Sequence, residues 1–348
     1  MADAKKLIMH ILVTGHKGYI GGLLVPMLIQ QGHQVTGCDR DFFANCLYLK
    51  ESYEPINLNK DIRDLCADDL TAFDTIIHLA GLSNDPMGNF DPALTLAINQ
   101  IASEQLAINA RAAGVRRFIF ASSCSNYGAS DGGVLDESAP FNPQTPYGES
   151  KCAAESTICQ LETQDFSPCN LRAGTVYGIA PRIRFDLVVN NLVAYAVARG
   201  EVFLKSDGRA WRPLVHVSDV ARAYVAALEA PASVVSGQSY NVGRTSENYQ
   251  IYQVAQMIEA AVPDCNLKIS DSAATDTRNY RVNCDKILKH LPAFKPQWTV
   301  EQGIDELYTS FSNKKIHEAA FEGSQYNRLA HLRQQIDSGV MSKDLRYR

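Results

Sequence analysis

The sequence predicts an α/β fold with a doubly wound parallel sheet, followed by a smaller C-terminal α/β lobe. Three observations lead to this prediction. Short apolar, strand-like runs alternate with helix-patterned segments over the first ~180 residues. A glycine-rich turn joins the first apolar run to the first helical segment. Beyond that point the alternation becomes irregular, which indicates a second unit in a chain of 348 residues.

The elements of the first part follow one another as strand and helix. Residues 7–15 are apolar and close on glycine, and 19–31 carry apolar residues at helical spacing. Because parallel strands need crossover helices, the alternation predicts right-handed βαβ units. The further predicted strands span 33–39, 73–81, 116–123 and 167–178, and the further helices span 93–113 and 147–163.

The second part is expected to mix helices with short strands. We therefore predict a first domain over 1–180, a second lobe over 181–312, some of whose segments return to the first domain, and a helical C-terminal extension over 313–348. The helical patterns of the second part span 185–199, 217–229 and 248–261, and its strand-like runs span 201–205, 239–243 and 266–270.

Composition excludes several classes of function. The net charge of −5 and pI near 5.9 give no basic face for nucleic acid or an anionic membrane. No apolar run approaches the ~18 residues of a membrane span, so a cytoplasmic protein is expected. The nine cysteines are scattered, without C-x-x-C or histidines at ligand spacing, which predicts reduced thiols and no metal site.

The first turn, ILVTGHKGYIGG, carries Gly15, Gly18 and Gly21 at three-residue spacing. Small residues there let the strand turn sharply and let a pyrophosphate approach the helix N-terminus, so the turn predicts dinucleotide binding. His16 and Lys17 between them are expected to be exposed. Asp39 ends the second strand, where a carboxylate accepts hydrogen bonds from a ribose and repels a 2′-phosphate, which favours NAD over NADP. Arg40 follows and could partly offset that repulsion.

Tyr147 and Lys151 in QTPYGESK lie one helical turn apart. Pairs at this spacing are common on helix surfaces, so the pair alone is weak evidence. A phenol with a pKa near 10 is a poor base at neutral pH, and a neighbouring ammonium can lower that pKa. The pair is therefore a candidate acid–base device.

Eight motifs stand in order along the chain, over about residues 8–310. They are GxxGxxG at 15–21, DIRD at 61–64, HLAG at 78–81, Asn99, SSCSNYG at 122–128, YGESK at 147–151, LRAGTVYG at 171–178 and RPLVHVSDVARAY at 212–224. With these motifs the chain resembles the extended short-chain dehydrogenase/reductase family, in its nucleotide-sugar epimerase and dehydratase branch.

The resemblance implies a Rossmann-type NAD-binding domain over 1–180 and a nucleotide-sugar-binding lobe over 181–312. Tyr147 would be the general acid or base on a sugar hydroxyl, Lys151 would tune it and hold the nicotinamide ribose, and Ser123 would hydrogen-bond the reacting C–O group. The implied cofactor contacts are Gly15, Gly18, Tyr19, Ile20, Gly21, Asp39, Asp61, Ile62, Leu79, Ala80, Gly81, Asn99, Tyr147 and Lys151.

The implied pocket for a nucleotide-diphosphate sugar departs from the family pattern in two places. Cys124 and Ser125 stand where 4,6-dehydratases of the family carry Asp-Glu, which argues against a standard dehydratase. Cys124 either lines the pocket or is a small apolar residue behind the strand. Thr175 replaces an Asn that many relatives use to contact the sugar. The candidate pocket residues are Ser83, Cys124, Ser125, Thr175, Asn191, Arg212 and Arg278, the two arginines facing the diphosphate.

The function that this resemblance implies is an NAD-dependent nucleotide-sugar epimerase acting through a 4-keto intermediate. A net 4-oxidase, a 4-ketoreductase or a dehydratase of the same family is the alternative, because Ser, Tyr and Lys serve them all. A non-catalytic NAD-binding sensor or scaffold is an alternative of another class. Family resemblance and the apolar helices at 93–113 and 147–163 together predict a homodimer.

Overall fold

A computed structural model describes residues 8–274 and 278–348. The strands are β1 (His10–Thr14), β2 (Gln34–Cys38), β3 (Ile56–Asn57), β4 (Thr75–His78), β5 (Arg117–Ser123), β6 (Ala129–Leu135), β7 (Ser167–Ala173), β8 (Thr175–Tyr177), β9 (Glu201–Ser206), β10 (Trp211–His216), β11 (Gln238–Val242), β12 (Asn248–Gln250), β13 (Asn266–Ala274) and β14 (Asn279–Val282). The helices are α1 (Gly21–Gln30), α2 (Asp85–Phe90), α3 (Pro92–Thr95), α4 (Ala102–Ala112), α5 (Pro146–Gln160), α6 (Val188–Arg199), α7 (Val217–Glu229), α8 (Ala232–Val235), α9 (Ile251–Ala261), α10 (Asp285–His290), α11 (Val300–Asn313), α12 (Glu318–Glu322) and α13 (Arg328–Asp337).

The centre of the molecule is a seven-stranded parallel sheet in the order β3-β2-β1-β4-β5-β7-β11. The chain builds outward from β1 in one direction and from β4 in the other. The loops after β1 and β4 therefore diverge and leave a crevice at the carboxyl edge of the sheet. The predicted doubly wound parallel sheet is confirmed.

Helices cover both faces of this sheet because their apolar residues recur at helical spacing. Leu24, Val25 and Leu28 of α1 pack with α7 on one face. Leu106 and Ala110 of α4 pack with α5 on the other. Buried aliphatic residues of the strands fill the space between the layers, so the crevice is the part of the sheet that the helices leave open.

The smaller lobe is built on β8, β10 and β12, with the strand pairs β9/β13 and β6/β14 beside them. The run 167–178, expected as one strand, is two strands in two sheets. Gly174 separates them, and a Cβ there would lie 2.9 Å from the carbonyl oxygen of Pro213. The main sheet thus passes directly into the smaller lobe, and Thr175 stands at the junction.

Of two expectations for individual segments, one is wrong and the other is confirmed with a local irregularity. Residues 239–243, assigned to the smaller lobe, form most of β11, which pairs with β7 at the edge of the main sheet. The helix expected over 93–113 is present, and a π-helical stretch at Leu96–Ile101 joins α3 directly to α4 within it. The domain boundaries themselves stay a prediction, with β11 and α7 as segments that return to the first unit.

The last residues of the chain lie against the first unit. Met341 and Leu345 are buried in the cluster that contains Ile62 and Leu65. The guanidinium of Arg63 donates to the carbonyl oxygens of Asp344 (2.8 Å) and Leu345 (3.0 Å). The extension is therefore packed and hydrogen-bonded. No helix among the described residues has the length and apolarity to cross a membrane.

Candidate active site

A cavity of about 530 Å³ lies along the carboxyl edge of the main sheet and continues into the smaller lobe. One end holds Asp39 and Asp61, and the other holds Arg212 and Arg278. It brings together most of the residues that the sequence indicated. Those that line it are Gly15, Gly18, Tyr19, Ile20, Gly21, Asp39, Asp61, Ile62, Leu79, Ala80, Gly81, Ser83, Ser123, Ser125, Tyr147, Lys151, Thr175, Arg212 and Arg278.

The glycine turn packs closely on the loop after β4. Gly15 has a φ of +70°, and a Cβ there would lie 2.7 Å from the amide nitrogen of Ala80. The expectation that His16 is exposed is wrong, because its ring is buried against Gly37. Burial and the charge of Lys17 lower the pKa of His16 to about 4, so the ring is neutral at pH 7. The turn leaves its outer side open to the cavity.

Asp39 is held by backbone donors at the end of β2. Its carboxylate accepts from the amide nitrogens of Asp41 (2.8 Å) and Lys17 (3.1 Å). Burial raises its pKa, and the backbone bonds oppose that rise. The Arg40 guanidinium donates to the carbonyl oxygen of Asn59 (2.7 Å), so it is engaged there. A carboxylate fixed at this place can accept hydrogen bonds from a ribose diol and repels a 2′-phosphate, which favours NAD over NADP.

Asn99 supports the cavity wall from behind and does not line it. Its amide side chain accepts from the amide nitrogen of Leu82 (2.7 Å) and donates to the carbonyl oxygen of Leu82 (2.9 Å). Its Oδ1 atom lies 2.9 Å from where a Cβ on Gly81 would be. The π-helical stretch that carries Asn99 thus fixes the wall formed by residues 79–81.

Ser123, Tyr147 and Lys151 meet in the middle of the cavity. Ser123 ends β5, and Tyr147 lies in the first turn of α5, which Thr145 caps by accepting from the amide nitrogen of Gly148 (3.2 Å). Lys151 donates from Nζ to the carbonyl oxygen of Ala121 (2.8 Å), and burial lowers its pKa to about 8. The three side chains are arranged for proton transfer at one hydroxyl group.

The expectation that Lys151 lowers the pKa of Tyr147 stays a prediction, and other groups have the larger effects on this phenol in the structure. Burial raises the pKa of Tyr147, while a hydrogen bond with Ser123 and the charge of Arg184 act in the opposite direction. Arg184 is itself held by Asp186 (2.5 Å) and by the Ser83 carbonyl oxygen (2.9 Å). The sequence analysis missed this arginine, although two cations and an acid inside the apolar run PRIRFDLVV were a signal for it.

A line of hydroxyl groups runs from Tyr147 into the smaller lobe. Ser123 donates from Oγ to Oγ of Ser125 at 3.0 Å, and Ser125 is hydrogen-bonded to Tyr280. Burial raises the pKa of Tyr280 to about 12, so it is a neutral phenol at pH 7. Tyr280 was also missed by the sequence analysis, because β14 reaches the cavity only through its pairing with β6.

Cys124 does not belong to the cavity lining. Its thiol is fully buried and donates to the carbonyl oxygen of Arg172 (3.2 Å), and burial raises its pKa far above the usual range. The alternative of a small apolar residue behind the strand is therefore the correct one.

The smaller lobe contributes two cations at its end of the cavity. Arg278 forms an ion pair with Asp85, whose carboxylate also accepts from the Thr145 hydroxyl at 2.6 Å. Arg212 donates to the carbonyl oxygens of Trp211 (2.8 Å) and Arg278. Asn191 does not line the cavity. Its neighbour Asn190 is buried and accepts from the amide nitrogen of Gly178 (2.9 Å), which is a structural role.

A buried ion pair and a hydrogen bond to the same carboxylate fix two strands of the main sheet to the helix that carries Tyr147. Glu155 of α5 pairs with Arg172 of β7 at 2.6 Å and accepts from the Ser122 hydroxyl. Both charged groups are nearly inaccessible to solvent. The pair thus holds the ends of β5 and β7 against α5 at the level of the cavity.

The glycine turn at the start of α1 and the fixed carboxylate of Asp39 fit NAD, and comparison with known proteins agrees. A UDP-glucose 4-epimerase of Mycolicibacterium smegmatis is 29% identical, with 88% of this chain and 99% of the relative covered. A dTDP-D-glucose 4,6-dehydratase of Mus musculus is 25% identical, with 90% and 92% covered. The solved structure of MoeE5 in complex with UDP-glucuronic acid and NAD is 28% identical, with a TM-score of 0.74 over 88% and 99% of the two chains.

The family model described as the NAD dependent epimerase/dehydratase family matches residues 11–243. This match includes β1 to β11 and therefore the whole main sheet, together with the glycine turn and the Ser123, Tyr147 and Lys151 cluster. The chain belongs to the NAD dependent epimerase/dehydratase family of enzymes.

Proposed function

We propose that this enzyme inverts the configuration at C4 of a nucleotide-activated sugar, through a 4-keto intermediate and without net redox change. When bound, NAD would supply reversible hydride transfer at that sugar carbon. The nucleotide diphosphate would lie along Arg212 and Arg278, so that the sugar reaches Ser123 and Tyr147. UDP is the first nucleotide to test, because MoeE5 is solved with UDP-glucuronic acid.

The protein groups supply the proton chemistry. Tyr147 takes the proton from the reacting hydroxyl group, and Ser123 hydrogen-bonds the same oxygen as it becomes a carbonyl. Lys151, fixed on the Ala121 carbonyl oxygen, holds the nicotinamide ribose and places positive charge beside the phenol. When the hydride returns to the other face, Tyr147 gives the proton back.

One observation favours an epimerase over a dehydratase. Elimination of water needs an acid and a base beside the hydroxyl residue, and here Ser125 and Tyr280 occupy that side of Ser123. Each carboxylate that lines the cavity among the described residues already accepts hydrogen bonds or ion pairs from protein groups. These carboxylates are Asp39, Asp61, Asp85 and Asp186.

The test is incubation of the NAD-loaded enzyme with UDP-, GDP-, CDP- and dTDP-sugars, followed by mass spectrometry and separation of isomers. The proposal expects an isomer of unchanged mass and no lasting absorbance of reduced nicotinamide. A two-unit mass change with stoichiometric cofactor turnover would make the enzyme an oxidase or ketoreductase, and loss of water would make it a dehydratase.

Deuterium labelling identifies the carbon. In D₂O a hydride that leaves and returns at C4 brings no solvent label onto carbon, whereas epimerisation at the neighbouring carbon brings one deuterium. Tyr147→Phe is the control variant, and it should bind NAD but convert nothing. Equal turnover by that variant would contradict the proposal, and NAD binding without turnover of any sugar in the panel by the wild type would favour a sensor.

We also propose a homodimer formed through the helices on the face of α4 and α5. Ile101 and Ile108 are 60% and 39% exposed there, seven residues apart, which leaves an apolar stripe on the surface. Light scattering should give twice the chain mass, and Ile101→Lys together with Ile108→Lys should give the monomer. A cytoplasmic location stays a prediction of the same kind.

A further inference from the structure

Arg328, the first residue of α13 in the C-terminal extension, lines the cavity. The residue is 8% exposed. Its Nη2 atom lies 3.4 Å from the carbonyl oxygen of Arg182, and its guanidinium lies 4.8 Å from the ring centre of Phe43. The family model ends at residue 243, so the family match says nothing about Arg328.

The charge of Arg328 is poorly compensated by the protein. Burial, and next the charge of Arg184, lower its pKa to about 10, while the charge of Asp186 acts in the opposite direction. Within residues 8–274 and 278–348, no carboxylate lies within 4 Å of its guanidinium. Buried guanidinium groups are normally paired with anions. We therefore expect the anion that pairs with the Arg328 guanidinium to come from a ligand.

The two neighbouring arginines do not share this property. Arg182 pairs with Asp41 and with Glu51 (3.3 Å), and Arg184 pairs with Asp186. Of these three cavity-lining arginines, Arg328 is the one whose charge no carboxylate takes up.

The position of Arg328 indicates which part of a ligand it meets. The segment from Pro181 to Arg184 passes over the start of α1, and the Pro181 ring lies 3.4 Å from where a Cβ on Gly22 would be. Arg328 is hydrogen-bonded to this segment, so it lines the cavity beside the segment that packs on the start of α1. A pyrophosphate bound at the N-terminus of α1 would therefore lie on the same side of the cavity as Arg328.

We propose that Arg328 binds the pyrophosphate of NAD, so that the C-terminal extension supplies a cofactor ligand. The inference rests on the use of NAD but not on the sugar or the reaction. A diphosphate could also belong to the substrate. Phe43 and the start of α1 place Arg328 at the cofactor's side, whereas the substrate diphosphate is expected at Arg212 and Arg278.

The test measures ligand binding by calorimetry on protein stripped of cofactor, with NAD, ADP-ribose, adenosine and UDP as probes. The variants are Arg328→Gln and Arg328→Met, the latter filling similar space without charge. Arg333→Gln is the matched control, because Arg333 lies on the same helix, is exposed and packs on Phe90. Thermal unfolding verifies that each variant is folded.

Both Arg328 variants should bind NAD and ADP-ribose about 10- to 100-fold more weakly, as expected for a lost hydrogen bond to a charged group. Adenosine and UDP should bind unchanged, and Arg333→Gln should resemble the wild type. Equal losses for adenosine and ADP-ribose would show a structural role only. A loss confined to UDP would assign Arg328 to the substrate diphosphate, and unchanged binding of all probes would exclude any such contact. Each of these three results overturns the proposal, and none depends on turnover.

Discussion

The Nζ atom of Lys151 lies 6.0 Å from the ring centre of Tyr147 and is directed to a backbone carbonyl oxygen. The lysine is buried, and its pKa falls from 10.5 to about 8 because charge is costly there. The group to which the proposed reaction assigns the nicotinamide ribose thus lowers the stability of the cofactor-free fold.

Lys151→Met should therefore stabilise the cofactor-free protein while abolishing turnover. At pH 7 we expect the free energy of unfolding to rise by about 2 kcal/mol. The variant no longer buries the Lys151 charge, which stabilises it, but it also loses the hydrogen bond to the Ala121 carbonyl oxygen, which offsets part of that gain. The unfolded chain binds the Lys151 proton more tightly than the folded protein does. The free energy of unfolding of the wild type should therefore rise as the pH increases from 8 to 10.5, and the variant should lack this rise. Chemical denaturation over that range checks both effects. A destabilised variant, or no difference from Lys289→Met at an exposed site, would contradict this account.

Arg184→Gln should move the pH profile of catalysis. The charge of Arg184 lowers the pKa of Tyr147, so its removal leaves the effect of burial less opposed and the phenol harder to ionise. The rising acidic limb of kcat/KM should shift to higher pH, with activity reduced at pH 7 and partly recovered in alkaline buffer. Arg199→Gln, a distant exposed arginine, is the control. A uniform loss at all pH values would indicate that Arg184 only positions Ser83.

Tyr280→Phe removes one hydroxyl group and leaves the ring beside Arg212. The line from Tyr147 through Ser123 and Ser125 then ends without its last partner. We expect kcat for the sugar to fall about 10-fold, the loss of one neutral hydrogen bond, with NAD affinity unchanged. Kinetics with saturating NAD and calorimetry with NAD alone separate the two quantities. A parallel loss of NAD affinity would mean that the substitution disturbs the fold of the cavity.

Glu155→Gln should be strongly destabilising. The substitution leaves the Arg172 guanidinium buried without its counter-charge, which costs about 3–5 kcal/mol in comparable sites. Glu149→Gln on the exposed face of the same helix should change stability by less than about 0.5 kcal/mol. Urea unfolding at pH 7 provides the comparison. Similar stability of the two variants would show that the Glu155–Arg172 pair contributes little.

Leu345→Ala should weaken retention of NAD. Leu345 is buried against the unit that holds the adenosine end, and Arg346 and Tyr347 beside it contact Asp64 and the Asp41 carbonyl oxygen (3.1 Å). Loosening these residues should speed exchange of the backbone amides around Asp41 and Asp61 and increase NAD loss during gel filtration. Val340→Ala, at an exposed position in the same segment, is the control. Unchanged NAD retention would show that the extension packs without supporting the cofactor.

The residues that sequence reasoning located share one property: short-range signals place them. Ser123 ends an apolar strand, Tyr147 follows a helix cap, and the glycines lie in one turn. Tyr280 and Arg328 carry no such signal, because each reaches the cavity from a segment whose position depends on distant packing. Arg184 is marked in the sequence only by the charges inside the apolar run PRIRFDLVV, which do not place it in the cavity. Asn99 and Cys124 lie in local motifs that the sequence analysis placed at the site, but their side chains face away from the cavity. A short-range motif therefore locates a residue near the site without fixing the direction of its side chain.

The position of the extension also has a consequence for how the protein is made. Tyr347 contacts Asp41 across 306 residues of chain, so the segment that packs behind this end of the cavity is in place only when synthesis has passed α13. A ribosome-bound intermediate could already fold the parallel sheet and its glycine turn. Cofactor capture would then be a late, post-translational event, and stably held NAD would mark molecules whose synthesis had run past residue 347.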